Sequence, residues 1–333
     1  MTTLSILDLS PVAEGNTITE ALDETRRMAQ KAEALGYKRF WLAEHHGMPG
    51  IASAATAVVI GHVGAATSTI RIGSGGIMLP NHSPLVIAEQ FGTLAALFPG
   101  RVDLGLGRAP GTDMRTAQAL RRNLDAGAQS FPQDILELKQ FLGAPSENQP
   151  ILAVPGANSH VPIWILGSSL YSAHLAGMLG APYAFASHFA PDMLLDALAI
   201  YRERFTPSPE LDRPYVMAGV MGVAAETDAE AEYLFTSSQQ QFVNLRRNIR
   251  TQFPKPVRDM DAFWSEQERI MVEHTLRYAV VGGQEKAAEK LDRFITATGA
   301  DEVIVSMPIY DIEARLRSVE MFAGIRHRLE KAA

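Results

Sequence analysis

Short apolar runs bounded by turn residues recur along this chain and alternate with longer stretches of helical periodicity. The runs are LSILDL (4–9), RFWLA (39–43), IRIGSGGI (70–77), RVDLGLG (101–107), PIWIL (162–166), YAFAS (183–187), YVMAGVMG (215–222) and EVIVSM (302–307). Helical patterns fill 18–35, 53–67, 84–97, 112–142, 169–180, 191–205, 226–250 and 284–298, and a closing helix spans 311–331. A strand buried on both faces reads as a continuous apolar run, and parallel neighbours need a helical crossover. Eight strands in strict alternation with helices therefore predict an α/β fold, a (β/α)8 TIM barrel. At 333 residues the chain has the length of one large barrel domain spanning 1–333.

Two connections are longer than the pattern requires, about 143–161 and 251–277. They are expected as insertions, and 251–277 as a candidate lid, because long loops at the carboxyl ends of barrel strands form walls over the site. Its start is basic (Arg246, Arg247, Arg250, Lys255, Arg258), and Phe263 and Trp264 are apolar enough to cover a ring. A fixed strut is the competing reading of the same segment.

Composition excludes several function classes. A net charge of −7 argues against a phosphate-backbone footprint, so nucleic acid is not an expected partner. The absence of cysteine removes disulfide, thiolate and Cys-ligated metal chemistry and fits a reducing compartment. The first residues, MTTLSILDLSPVAEG, lack a basic leader and carry Asp8 inside their apolar stretch, so they read as a strand. The apolar window 51–66 is short and interrupted by Ser53, Thr56 and His62, so it reads as a buried helix and no membrane segment is expected. The cytoplasm is the expected location.

Four stretches carry chemistry-bearing residues at strand ends. WLAEHHG places Glu44, His45 and His46 where the second strand stops; on extended backbone Glu44 and His45 point to opposite faces, so one of them can meet a ligand while the other serves the loop. IGSGGIMLPNHSP ends the third strand in glycines, which permit either a bulge at the rim or close approach of a flat ligand. RVDLGLGRAPG follows two glycines with Arg108, whose planar fork suits a phosphate although a surface ion pair would satisfy it equally. WILGSS places Gly167, Ser168 and Ser169 before a helix, where amides and hydroxyls form a phosphate cradle or simply a cap. Asp8, Ser10, His188 and Phe189 end at the same rim.

Taken in order, WLAEHHG, IGSGGIMLPNHSP, AEQFGTLAALFPGRVDLGLGRAPG and WILGSS resemble the bacterial luciferase-like flavin-dependent monooxygenases, and within them the uncharacterised bacterial oxidoreductase branch. The resemblance covers nearly the whole chain. It implies a barrel that binds FMN at its carboxyl end, with His45 beside the ring, Gly75 and Gly76 as a pair whose peptide is often cis beneath it, and Arg108, Ser168 and Ser169 at the phosphate. Tyr171, in the following turn, is a further candidate donor. The chain departs from light-emitting luciferases at Gly107, where those carry a reactive cysteine, and at Gly167, where they carry an acidic residue, so light emission is not expected.

The implied activity is a monooxygenase that takes reduced FMN from a separate flavin reductase, since no Gly-x-Gly-x-x-Gly motif is present, and uses oxygen on a small organic substrate. A deazaflavin-dependent hydride-transfer oxidoreductase and a non-enzymatic flavin-binding protein remain as alternatives. A metal-dependent hydrolase using His45, His46 and His188 is disfavoured because paired acidic ligands are missing, and no metal is expected. The Ala- and Gly-rich helix 53–67 and AEQFGTLAAL predict a homodimer, the commonest assembly and the one family members form through this region.

Overall fold

The structure is a computed structural model that describes residues 2–109, 111–120 and 129–332. Chain order runs β1 (Thr3–Asp8), α1 (Ile18–Ala34), β2 (Arg39–Leu42), α2 (Thr56–Ala65), β3 (Arg71–Met78), α3 (Pro84–Leu97), β4 (Val102–Gly107) and α4 (Met114–Leu120). It continues with α5 (Phe131–Leu142), β5 (Ile163–Gly167), α6 (Leu170–Leu179), β6 (Tyr183–Phe185), α7 (Leu194–Arg204), β7 (Val216–Ala224) and α8 (Asp228–Arg246). The last elements are α9 (Glu266–Thr275), β8 (Val280–Gly282), α10 (Gln284–Thr298), β9 (Glu302–Ser306) and α11 (Ile312–Ala332).

All strand pairs are parallel, and the pairing of β6 with β7 closes the sheet into a ring in the order β1, β2, β3, β4, β5, β6, β7, β9. Eight strands form the barrel, as the alternation predicts. The three-residue β8 stands outside the ring and pairs only with the end of β7, Gly222 opposite Val280. Over the expected helix 112–142 the described residues include α4 and α5, and 121–128 lie outside the described residues.

Period-2 alternation sends one set of side chains outward to the helices and the other into the barrel. The inward set is layered. Ser5, Arg39, Arg71, Asp103, Tyr215 and Glu302 occupy the amino-terminal end and are joined by ion pairs and hydrogen bonds. Above them Leu7, Trp41, Trp164, Met217 and Ile304 pack as an apolar plate, with the two indoles edge to face at 5.1 Å. Trp41 has room because β3 carries glycine there: a Cβ on Gly73 would lie 2.9 Å from Trp41 Nε1, and one on Gly75 3.1 Å from its Cε3. The outward set, including Ile6, Phe40, Ile72, Leu104, Tyr183 and Val303, meets the helices in the main core.

The two long connections lie on different sides of this frame. Segment 143–161 leads into the start of β5 and therefore sits toward the amino-terminal end, away from the carboxyl-end rim. It packs on α3, where a Cβ on Gly92 would meet Gly156 Cα at 2.4 Å. Segment 251–277 comes back over the carboxyl end and joins the loop after β1, with the Phe253 amide donating to Val12 O at 2.8 Å and the Glu14 amide donating to Phe253 O at 2.8 Å. Phe263 and Trp264 do not reach over the mouth; they pack with Val223, Leu234 and Val272 in a satellite cluster. No helix among the described residues is long and apolar enough to cross a membrane.

Candidate active site

The carboxyl ends of the strands surround a cavity of about 470 Å³, within the ~300–1,000 Å³ typical of small-molecule sites. His45, Gly75, Gly76, Arg108, Ser168, Ser169 and Tyr171 all line it. Seven positions chosen from four separate stretches of sequence thus converge on one space.

Where β2 stops, three ionisable residues divide into two tasks. Glu44 is buried and turns away from the cavity. Its carboxylate accepts from His46 Nε2 at 2.7 Å, His82 Nε2 at 2.9 Å, the Met78 amide at 2.9 Å and Asn81 Nδ2 at 3.1 Å. Burial alone would raise its pKa, but the hydrogen bonds from His46, His82 and the Met78 amide prevail and hold it at about 2. Glu44 is therefore the anionic pin that fixes the loop after β2 to the turn after β3. His45 faces the other way, into the cavity, with Nδ1 buried and unpartnered. Burial pushes its pKa down, against the pull of Glu44, so the ring is neutral at pH 7.

The β3 rim shows the bulge expected of its glycines. Its register against β4 slips between Gly75 and Ile77, a bulge, and the Gly75–Gly76 peptide is cis. Close approach is required as well, because a Cβ on Gly76 would meet Gly105 O at 2.7 Å. A flat, side-chain-free floor results beside His45.

Ends of β4 and β5 form the polar pole. The Arg108 guanidinium lies over the Tyr171 ring at 4.3 Å and makes no ion pair among the described residues. Ser169 caps α6 by position, yet its hydroxyl accepts no cap hydrogen bond, and among the described residues neither it nor Ser168 Oγ is engaged. Unfilled donors at a helix start, two idle hydroxyls and an unpaired guanidinium are what a phosphate requires. Gly167 admits no larger residue, since a Cβ there would lie 2.2 Å from Ser172 Oγ. A side chain at Gly107 would first have to displace Met78, whose Sδ is 2.7 Å from the Cβ position.

Other lining residues were not singled out in the sequence. Arg315 is buried, donates Nη2 to Asp8 Oδ2 at 2.8 Å and Nε to Met307 O at 2.7 Å, and reaches the cavity wall. Gln241, Phe242 and Leu245 arrive from α8 and Phe253 from the segment beyond it. His82 lies in a quoted motif, but its bond to Glu44 spans 38 residues and leaves no local trace. Among the described residues no group of three or more His, Asp or Glu side chains is placed to hold a metal ion.

Comparison with known proteins gives the same frame. Residues 2–302 match the family model described as luciferase-like monooxygenase. The chain is 51% identical over 325 residues to a luciferase-like monooxygenase of Escherichia coli (strain K12), covering 98% of this chain and 97% of that protein. It is 31% identical to N-acetyl-S-alkylcysteine monooxygenase of Bacillus subtilis (strain 168), covering 97% and 98%. Among solved structures, apo-MsnO8 superposes with a TM-score of 0.87 at 33% identity, over 98% of this chain and 99% of that one. The fold alone is shared with the oxygenating constituent of 3,6-diketocamphane monooxygenase from Pseudomonas putida in complex with FMN, at TM-score 0.69, 18% identity and 97% of each chain. It is shared likewise with an F420-dependent secondary alcohol dehydrogenase, at TM-score 0.70, 14% identity and 97% and 98% coverage. A family-model match over nine-tenths of the chain, together with 51% identity to a luciferase-like monooxygenase over 98% of it, places this protein in the luciferase-like monooxygenase family.

Proposed function

We propose that the protein is an FMN-dependent monooxygenase that takes reduced FMN from a separate flavin reductase and uses oxygen to oxidise a small organic substrate. The observation that carries this reading is the asymmetry of the cavity: a cationic, hydroxyl-bearing pole at β4 and β5, a side-chain-free floor at Gly75–Gly76, and mainly apolar walls elsewhere. That arrangement fits the phosphate and ring of FMN. Bound reduced flavin would supply two electrons to oxygen. The chain's own residues do the rest: Arg108, Ser168, Ser169 and Tyr171 hold the phosphate end, Gly75 and Gly76 let the ring approach, and His45 holds or moves a proton at Nε2. Phe242, Leu245 and Phe253 exclude water from above. The cytoplasm, where reduced flavin is made, suits such a reaction.

The F420-dependent neighbour supports a second reading, hydride transfer with a deazaflavin on the same barrel. A protein that binds oxidised flavin without turning over is the third. Anaerobic titration with reduced FMN and with reduced deazaflavin, followed by oxygen, separates them. Preferential binding of reduced FMN and substrate-dependent oxygen uptake are expected; tighter deazaflavin binding without oxygen uptake overturns the proposal.

Arg108→Ala should weaken FMN binding by ~1.5–3 kcal/mol, the worth of a charge-assisted contact, and leave riboflavin binding nearly unchanged. Fluorescence titration with both ligands checks this, and equal losses would move Arg108 away from the phosphate.

Segment 251–277 is better described as a fixed wall than as a lid. Arg247 pairs with Glu268 at 2.7 Å, Gln240 Nε2 donates to Lys255 O at 2.8 Å, the Val257 amide donates to Thr236 Oγ1 at 2.9 Å, and Phe253 is buried. Limited proteolysis should find 251–277 equally resistant with and without FMN; cleavage there that FMN suppresses would restore the lid.

A homodimer through α2 and α3 is also proposed, on altered grounds. Gly64 and Gly92 are small for packing within the chain: a Cβ on Gly64 would meet Phe98 at 2.6 Å, and Gly92 abuts Gly156. Exposed apolar side chains on these two helices include Val58 (72%) and Leu97 (63%), with Val86 also exposed, and they suit an isologous contact. Sedimentation at micromolar concentration should show a dimer that Leu97→Glu splits; a monomeric wild type removes the claim.

A further inference from the structure

The proposed function leaves two ionisable residues of the cavity without a task, Arg315, which is paired with Asp8, and His188. It follows β6, stands edge-on to Phe189 at 4.8 Å, and packs against β7 at Gly219. A Cβ at 219 would lie 2.5 Å from His188 Nδ1, so only glycine admits the ring. The Gly219 carbonyl accepts instead from Ser187 Oγ at 2.6 Å, and His188 Nδ1 is buried with no partner. Nε2 is different: it makes no hydrogen bond among the described residues, is not sealed, and belongs to a ring that lines the cavity. A neutral imidazole has one proton to place, and an N–H buried without an acceptor forfeits a hydrogen bond. The proton therefore belongs on Nε2. Burial first, and then His45, lower the pKa to about 4, so the ring is neutral at pH 7. His45 is the one ionisable side chain that acts on it among the described residues, and it repeats the pattern of a bare, buried Nδ1.

Position gives this donor its meaning. In ring order His45 follows the second strand and His188 the sixth, four places apart, so they face each other across the mouth. The line between them separates the arc of β3 to β5, which carries Gly75, Gly76, Arg108, Ser168 and Ser169, from the arc of β7 to β1. The second arc presents mainly apolar side chains to the cavity, Leu7, Met217, Met221 and Ile304, beside Ser306 and an Arg315 whose charge is paired with Asp8. A cofactor on the first arc leaves the second to the substrate, and their reacting atoms meet on the line.

We propose that His188 presents a neutral Nε2–H donor to an uncharged, mainly apolar substrate bearing one hydrogen-bond acceptor such as a carbonyl, fixing and polarising it opposite His45. The division into two arcs rests on the FMN reading; the direction of the His188 proton does not. An isostere lacking the acceptor leaves the donor unpaired in an apolar site and should bind roughly tenfold more weakly or worse.

Nitrogen-15 NMR of the full chain with labelled histidine at pH 7, with His188→Leu to assign the resonances, tests the proposal. Cyclohexanone and its isostere methylenecyclohexane serve as probes. The expected result is a protonated Nε2 and a bare Nδ1 on His188, with the ketone shifting the Nε2 signal and binding at least roughly tenfold more tightly than the hydrocarbon. That preference should survive in His188→Gln, whose amide nitrogen stands near the place of Nε2, and vanish in His188→Leu. An imidazolium or an Nδ1–H tautomer at pH 7, or equal binding of the two probes to the wild type, overturns it. Failure of reduced FMN to bind while these results hold would overturn the flavin reading alone.

Discussion

Asp103→Ala should cost ~3–5 kcal/mol of folding stability, because it removes the shared anion of a buried charge cluster and strands its cations. Asp103 is fully buried on β4. Its carboxylate accepts from Arg39 Nη1 at 2.6 Å, Arg71 Nη2 at 2.6 Å and Trp41 Nε1 at 3.2 Å. Arg39 also reaches Glu302 at 3.0 Å, and its guanidinium lies 4.7 Å from the Trp164 ring. Loss of Asp103 leaves Arg39 with one carboxylate and Trp41 without an acceptor, both of them buried. Asp103→Asn keeps the shape and one acceptor and should cost less. Urea unfolding of both variants checks the order, and a loss under about 1 kcal/mol for Asp103→Ala would mean that the layer relaxes or admits water. This cluster closes the barrel at the end opposite the cavity, where it supports the Trp41–Trp164 plate on which the site stands.

The sequence carried the barrel because its strands are buried on both faces and separated by helices long enough to cross back. It did not carry β8, since Val280–Gly282 is three residues long and pairs with the end of β7 rather than with a ring neighbour. The side on which 143–161 lies could have been read, because any connection that leads into a strand ends at the amino-terminal rim. Within the cavity, residues that line it from a strand end were legible: His45, Gly75, Gly76, Arg108, Ser168 and Ser169 each stand at the close of a strand run. Residues that act by long-range pairing were not. Asp8 stood out as an acid at a strand end, but its partner Arg315 is 307 positions away and nothing local announces it. The roles of Phe263 and Trp264 were misplaced for a related reason, since apolar side chains on a long segment declare that they will be buried but not against what.

His45→Ala should lower turnover by roughly 10²-fold or more, the usual scale for losing general acid–base help, while leaving the fold nearly intact. The second half of that expectation follows from how Glu44, His45 and His46 share their work. Loop anchoring belongs to Glu44 with His46, His82 and the Met78 amide, whereas His45 Nδ1 has no partner to lose. Removing the imidazole vacates space in the cavity wall and breaks no ion pair. The first half follows from position and charge: His45 stands beside the Gly75–Gly76 floor where the ring is proposed to lie, and burial keeps it neutral, so one ring nitrogen can give a proton while the other is able to take one. The measurement is product formation with reduced FMN, oxygen and a substrate found by oxygen-uptake screening, alongside FMN affinity and urea unfolding for the same variant. Partial recovery of turnover on adding free imidazole would tie the loss to the missing ring rather than to the altered cavity. Unchanged turnover with intact FMN binding would remove His45 from the chemistry and leave it a wall of the pocket.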